Sequence, residues 1–278
     1  MSNALAEQGT DLGGHLWTAR LLGDAPDEIT AVHRTYFAAG ARVATTAPYQ
    51  ASVPGFTAIG IEPNQAAKLV RAGVRITRQV VADLAGDGVQ RLVAASVGPY
   101  GAYLAGGSEY RGRYGVPARV LRDFHGPRMD LLAAEQPDLF AVETAPDADE
   151  AEVLVGLLNE LDLPAWFSYN VAGERTRAGQ PLADAVLCDP VDVLPAVEVA
   201  VATSGRPAVC YPNSGEAWTT ETDEAPGQWS GKSTFDAGLA PAWGNAGATY
   251  VGGCCRVGPA QIADLVARLN ATDAQGGR

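Results

Sequence analysis

The stretch ATYVGGCCRVGPAQIADLVARL (residues 248–269) decides how the rest of the chain reads. A short run of small, β-branched and aromatic residues ends in two glycines and two adjacent cysteines. A turn at Gly258-Pro259 follows. Ile262, Leu265, Val266 and Leu269 then recur at helical spacing. The spacing predicts a strand, a polar exit and an amphipathic helix. The same unit recurs upstream. ARVATTAPYQAS (41–52), RLVAASVGPYG (91–101), DLFAVETAPD (138–147), PAWFSYNV (164–171) and PAVCYPNSG (207–215) read as strands with their exit loops. PNQAAKLVRAGVRITRQVVADLAG (63–86), a segment around 119–135, DEAEVLVGLLNELD (149–162), VDVLPAVEVAVATSG (191–205) and a segment within 233–247 read as helices. Gly40 and Gly86 mark helix stops.

Nearly continuous apolar strands alternating with helices place the chain in the α/β class, with a parallel sheet covered by helices. Strands are expected to start near 42, 91, 138, 164, 207 and 248. Such a series fits a doubly wound sheet or most of a (β/α)8 TIM barrel. Two observations favour the barrel. No glycine-rich dinucleotide turn follows an early strand. The polar, chemically interesting residues cluster at the C-terminal ends of many strands, as a barrel active site requires. The barrel is incomplete in this reading at its first and sixth strands. The chain opens on MSNALAEQG without a preceding apolar run. Between FSYNVAGERTRAGQPLADAV and LCDPVDVLPAV there is room for a short helix but hardly for a helix and a strand. No linker divides residues 1–278, which read as one domain.

The 278 residues are 47% hydrophobic and 19% charged, enough material for a sizeable core. A net charge of −12 argues against nucleic acid or an anionic membrane surface as partner, because both call for basic patches. No signal peptide and no apolar run of membrane-spanning length is seen, so the expected compartment is the cytoplasm. Thiols stay reduced there, and the four cysteines become candidates for metal or chemistry rather than disulfides.

Cys254 and Cys255 are the strongest of these candidates. Two buried small residues would be unremarkable singly. As a pair at a strand end after Gly-Gly they point to paired thiolate ligands, the glycines allowing close backbone approach. Zinc needs a third ligand even when it keeps an open catalytic position. Cys210 lies inside a strand, where packing is its expected role. Cys188, just before a helix, is the better third ligand. A three-sulfur zinc with an open position can take a substrate thiol, lower its pKa and so make it a nucleophile towards an electrophilic methyl group. Glu143, a lone acid after an apolar strand, reads equally as a helix cap or as an anchor for a substrate ammonium. Tyr49 and Tyr100 stand at strand exits, where aromatics line pockets or simply pack. The loop GPYGAYLAGGSEYRGRYG (98–115) carries no Gly-Lys-Ser/Thr and is no P-loop; it reads as a long βα loop able to fold over the site.

Taken together, LWTARLL (16–22), TTAPYQAS (45–52), SVGPYGAYLAGGSEYRG (96–112), ETAPD (143–147), YPNSGE (211–216) and GGCC (252–255) resemble the homocysteine S-methyltransferases. The likeness is to the bacterial and plant branch that uses S-methylmethionine or S-adenosylmethionine as donor, and it covers nearly the whole chain in family order. It implies a (β/α)8 barrel with one Zn2+ at its C-terminal face and methionine as product. It implies that Cys254 and Cys255 hold the metal with a cysteine at the sixth strand's end. It also implies that Glu143 holds the homocysteine amino group and that Tyr49 lies in the substrate pocket. Two departures stand out. The family's first strand ends in an Asp-Gly motif just before the point where this chain starts, and the family has a longer segment before its first zinc cysteine. Cys188 is therefore either that ligand or the residue after it. The alternative reading is a non-catalytic relative that binds zinc or a small thiol. The expected partners are small molecules only: homocysteine and S-methylmethionine or S-adenosylmethionine.

Overall fold

The computed structural model describes residues 1–10, 16–104, 106–172, 175–181, 197–198, 201–202, 205–219 and 228–276. Four strands, β1 (Val43–Thr45), β2 (Leu92–Val97), β3 (Leu139–Ala145) and β4 (Ala165–Tyr169), form one all-parallel sheet in that order. Two short antiparallel hairpins lie farther along the chain. β5 (Val171–Ala172) pairs with β6 (Arg175–Thr176), and β8 (Ala217–Thr219) pairs with β9 (Gln228–Ser230). Between them comes β7 (Ala208–Cys210), which pairs in parallel with β10 (Ala248–Val251). The six parallel strands all start within one residue of the expected positions.

The eight-stranded barrel expected from the sequence is met here in coarser form. Among the described residues the parallel strands form a four-stranded and a two-stranded sheet, with no ladder joining them. No strand is described before β1; residues Ser2–Glu7 form a helix, α1. Side-chain hydrogen bonds link the halves among the described residues. Trp166 Nε1 on β4 donates to the Tyr211 hydroxyl beyond β7 at 3.1 Å. The Tyr36 hydroxyl donates to the Val257 carbonyl beyond β10 at 3.1 Å.

The helices that matter for the site follow from local sequence. After α2 (Leu21–Asp24), α3 (Pro26–Ala38) carries Tyr36, and α4 (Val53–Ala58) is capped by the Ser52 side chain, which accepts from Gly55 N. The helix α5 (Pro63–Leu84) has proline in its first turn, and the Glu62 carboxylate accepts from the amides of Asn64 and Gln65. It buries Ala66, Leu69, Val70, Gly73, Val74, Thr77 and Val80, a continuous stripe at helical spacing. Gly73 lets this helix approach the exit of β1, since a Cβ there would lie 2.2 Å from Pro48 Cγ. Next come α6 (Tyr100–Leu104), α7 (Ala118–Ala133) and α8 (Ala148–Leu161), then α9 (Ala240–Asn245) and α10 (Pro259–Gly276). The larger core packs Ile29, Phe56, Val70, Met129, Leu132, Phe140 and Leu154 around the four-stranded sheet. A separate cluster of Val197, Cys210, Ala237, Ala240, Trp243 and Leu265 covers the two-stranded one. Among the described residues no helix is long and apolar enough to cross a membrane.

Candidate active site at the strand ends

The C-terminal ends of β1, β3 and β10 bring Tyr49, Glu143, Cys254 and Cys255 into one mouth, near enough that their charges act on one another. Glu143 owes its direction to an irregularity. The ladder between β3 and β4 slips between Val142 and Ala145, and Thr144 within that slip holds φ at 59°. A β-branched residue at positive φ is strained, and a bulge beside a strand end turns a side chain out of the pleat. Ser168 Oγ on β4 accepts from the Thr144 amide at 3.1 Å. The Ser96 hydroxyl on β2 donates to Glu143 Oε2 at 2.6 Å. Desolvation pushes the Glu143 carboxyl up to about 7 despite that hydrogen bond. Glu143 is therefore not a helix cap. The cap of α8 is Asp147, whose carboxylate accepts from Asp149 N at 3.1 Å.

Tyr49 stands on a staple that the sequence reading missed. Arg128 of α7 is 3% exposed and donates to the carbonyls of Gly98 (2.9 Å), Pro48 (2.8 Å) and Tyr49 (2.5 Å). It thereby ties the exits of β1 and β2 together. Gly98 has to be glycine, because a Cβ would sit 2.5 Å from the Tyr49 carbonyl oxygen. Beside Arg128, the buried pair His125 and Glu150 is joined at 2.8 Å, and Glu150 also accepts from the Tyr100 amide at 2.5 Å and the Tyr114 hydroxyl at 3.1 Å. Burial pulls the Arg128 pKa down to about 10 and lowers that of His125. The signal was present: the stripe Leu121, Phe124, Met129, Leu132 on α7 shares its buried face with His125 and Arg128. Charged residues on an apolar stripe mark buried ionic groups that need partners. Tyr49 itself is pushed well above its ordinary pKa by burial, with Thr144 as its side-chain partner. Tyr100 turns away from the mouth. It stacks edge-on with Tyr114 and Phe124, at ring separations of 5.6 and 5.0 Å.

The cysteine pair is set by backbone. Gly252 N donates to Cys210 O and Cys254 N to Pro212 O, both at 2.8 Å, and Ser214 N donates to Cys255 O at 2.9 Å. The exits of β7 and β10 are thus laced together. A Cβ on Gly253 would lie 2.1 Å from Val257 Cγ1, so the tight passage requires glycine there. Arg256, at φ 61°, forms an ion pair with Glu216 at 2.7 Å and lies over the Trp229 ring at 5.7 Å. Cys254 is exposed, Cys255 half-buried, and their sulfurs are 3.9 Å apart. The Cys255 thiol is lowered by its hydrogen bond with Cys254, against desolvation. The amino group of Met1 is buried against the same mouth. Desolvation lowers its pKa, opposed by Cys255, Cys254 and Glu143.

The geometry fits a tetrahedral metal. Two sulfurs each about 2.3 Å from one zinc lie about 3.8 Å apart at the tetrahedral angle, and the observed sulfur separation is 3.9 Å. Among the described residues no group of three potential ligands converges. Cys188, expected as the third ligand, lies outside the described residues. Cys210 is buried in the smaller core, away from this role.

Comparison with known proteins gives one consistent picture. A family model described as homocysteine S-methyltransferase matches residues 1–269. The homocysteine S-methyltransferase YbgG of Bacillus subtilis is 36% identical, over 96% of this chain and 91% of that protein. Homocysteine S-methyltransferase 1 of Zea mays is 36% identical, over 91% of this chain and 87% of that protein. The crystal structure of the metallated form of an Escherichia coli homocysteine methyltransferase superposes with a TM-score of 0.83 at 35% identity. It covers 96% of this chain and 93% of its own.

Proposed function

The chain belongs to the homocysteine S-methyltransferase family and is a methyltransferase, and from that premise we propose that it moves a methyl group from S-methylmethionine or S-adenosylmethionine to homocysteine, giving methionine. In this reading residues 1–278 form a single homocysteine-binding domain of the (β/α)8 type, incomplete at its first and sixth strands. One Zn2+ is held by Cys254 and Cys255, with Cys188 as third ligand. Zinc bound there supplies Lewis acidity that keeps a substrate thiol ionised at neutral pH.

The observation that carries the reading is the sulfur separation of 3.9 Å in the same mouth as a desolvated carboxylate. Glu143 receives the homocysteine ammonium, and that cation draws the carboxyl back to its ionised form. Ser96 fixes which way the carboxylate faces, and Tyr49 closes the pocket beside it. The homocysteine sulfur, its proton released to solvent, attacks the donor's methyl carbon. The new S–CH3 bond forms as the donor's sulfonium S–CH3 bond breaks, and its electron pair returns to the donor sulfur, which leaves neutral. Fixing both reactants at one mouth contributes through orientation, and the surrounding desolvation favours a step that cancels opposite charges.

The test is direct. Purified protein is incubated with zinc, L-homocysteine and either donor, and methionine is measured alongside metal content. Turnover with about one zinc per chain is expected for a single catalytic site. A folded, zinc-loaded chain inactive with both donors would instead mark a non-catalytic zinc- or thiol-binding relative.

A further inference from the structure

Both substrates of the proposed reaction carry an amino-acid ammonium group, and Glu143 accounts for only one of them. A second carboxylate reaches the same mouth. Glu109 sits in a 3-10 turn, Ser108–Tyr110, that packs against both β3 and α6. Its backbone is seated tightly: a Cβ on Gly101 would lie 2.5 Å from Glu109 N, so the turn depends on a bare glycine beneath it. Asn170, just past β4, points its amide nitrogen at the Glu109 carbonyl at 3.5 Å. The charge of Glu109 is felt by Tyr49 on one side and by Tyr110 on the other, and Tyr110 in turn feels Cys254 and Cys255. The packing of its turn on β3 and the contact with Asn170 just past β4 set Glu109 at the C-terminal ends of these strands, on the side lined by the loop after β2.

Its Oε2 is the one carboxylate oxygen among the described residues that is sealed from solvent without a hydrogen-bond partner. The neighbouring Arg111 does not supply one. Its guanidinium goes to the Gly106 carbonyl at 3.3 Å and the Ser108 hydroxyl at 3.0 Å. A buried acceptor without a donor is costly, and a cationic donor is the partner that best offsets the cost. Burial raises the Glu109 pKa, opposed by a hydrogen bond from its own amide and by the charge of Arg111, and burial likewise raises that of Glu143.

We propose that Glu109 receives the α-ammonium group of the methyl donor, leaving the donor's sulfonium towards the cysteine pair. This inference rests on the methyl-transfer reading above and assigns its second substrate a contact. It makes Glu109 a specificity residue for amino-acid sulfonium compounds over sulfonium compounds lacking the amino group.

The test compares S-methyl-L-methionine with 4-(dimethylsulfonio)butanoate, the same sulfonium with hydrogen in place of the amino group. Both are assayed with the zinc-loaded full chain and with its Glu109→Gln variant. The wild type is expected to favour the amino donor in kcat/KM on the order of tenfold to a hundredfold, the worth of one charged hydrogen bond. In Glu109→Gln that margin should fall to about threefold or less, with zinc content and the KM for homocysteine unchanged. Calorimetric titration of both chains with each sulfonium compound, without homocysteine, reads the same margin with no turnover. An undiminished margin in the variant overturns the assignment. So does a KM for homocysteine that rises in step with loss of donor binding. A wild type that binds S-methylmethionine without transferring its methyl group sinks the methyl-transfer reading. The calorimetric margin then still decides the role of Glu109.

Discussion

The two halves of the molecule hold their parts of the site in different ways. Around the four-stranded sheet, Tyr49 and Glu143 are positioned by side chains: Arg128 under one, Ser96 against the other, and a large apolar core behind both. Around the two-stranded sheet, Cys254 and Cys255 are positioned by main chain, through amide–carbonyl bonds to Cys210, Pro212 and Ser214 and the close passage at Gly253. The difference suits the tasks proposed for them. A carboxylate that meets an ammonium gains from tuned burial and oriented hydroxyls. A thiolate pair that meets a metal needs one fixed separation, which rigid backbone provides with the least machinery.

The sharpest way to break this comparison is to remove the metal half's chemistry. Cys254→Ser or Cys255→Ser should each abolish stoichiometric zinc and lower methionine formation by about a thousandfold or more, as expected for losing a metal-held nucleophile. Compared without zinc, thermal unfolding of the variants and the wild type should barely differ, since the sulfurs are not core groups. The reverse pattern should follow from the other half. Arg128→Met removes three hydrogen bonds from a buried cation to carbonyls, of which those of Pro48 and Tyr49 keep a backbone amide donor, and we expect it to cost about 3 kcal/mol of stability in urea unfolding. Arg128→Lys should keep the fold and zinc yet raise the KM for homocysteine about tenfold, because an ammonium cannot span the fork.

Glu143 allows a finer separation. Its carboxyl titrates near 7 in the free protein, so homocysteine affinity should rise with pH through about 7. Glu143→Gln should weaken binding about tenfold to a hundredfold and flatten that step in a pH series of binding isotherms. Stability should respond with the opposite sign. The folded pKa is raised above the ordinary 4.5, so the wild type should lose stability as pH climbs from 4.5 to 7, and the Gln variant should not. An effect confined to the metal half is expected at Gly253. Gly253→Ala pushes a methyl group against Val257 and should spread the thiols, weakening zinc binding about tenfold with donor and homocysteine binding intact. Equal losses in metal and substrate binding would show that the halves are not separable.

Much of the frame was legible in the sequence because buried parallel strands are continuous apolar runs. Val43, Leu92, Leu139, Ala165, Ala208 and Ala248 begin strands where such runs begin. What was not legible depends on contacts distant in sequence. The sheet breaks into two ladders, and whether Glu143 caps a helix or faces the mouth is decided by a bulge and by Ser96, 47 residues away. Arg128 acts on carbonyls 79 and 80 residues upstream, which no local pattern encodes. Only its place on an apolar stripe betrayed it.

Thr144 has a consequence for anyone engineering this chain. Its positive φ makes it an obvious target for stabilisation, since glycine fits that backbone without strain. The same residue partners the Tyr49 hydroxyl and shares the bulge that turns Glu143. A library selected for heat tolerance alone would tend to relax this position, yielding hardier proteins with a blunted appetite for substrate.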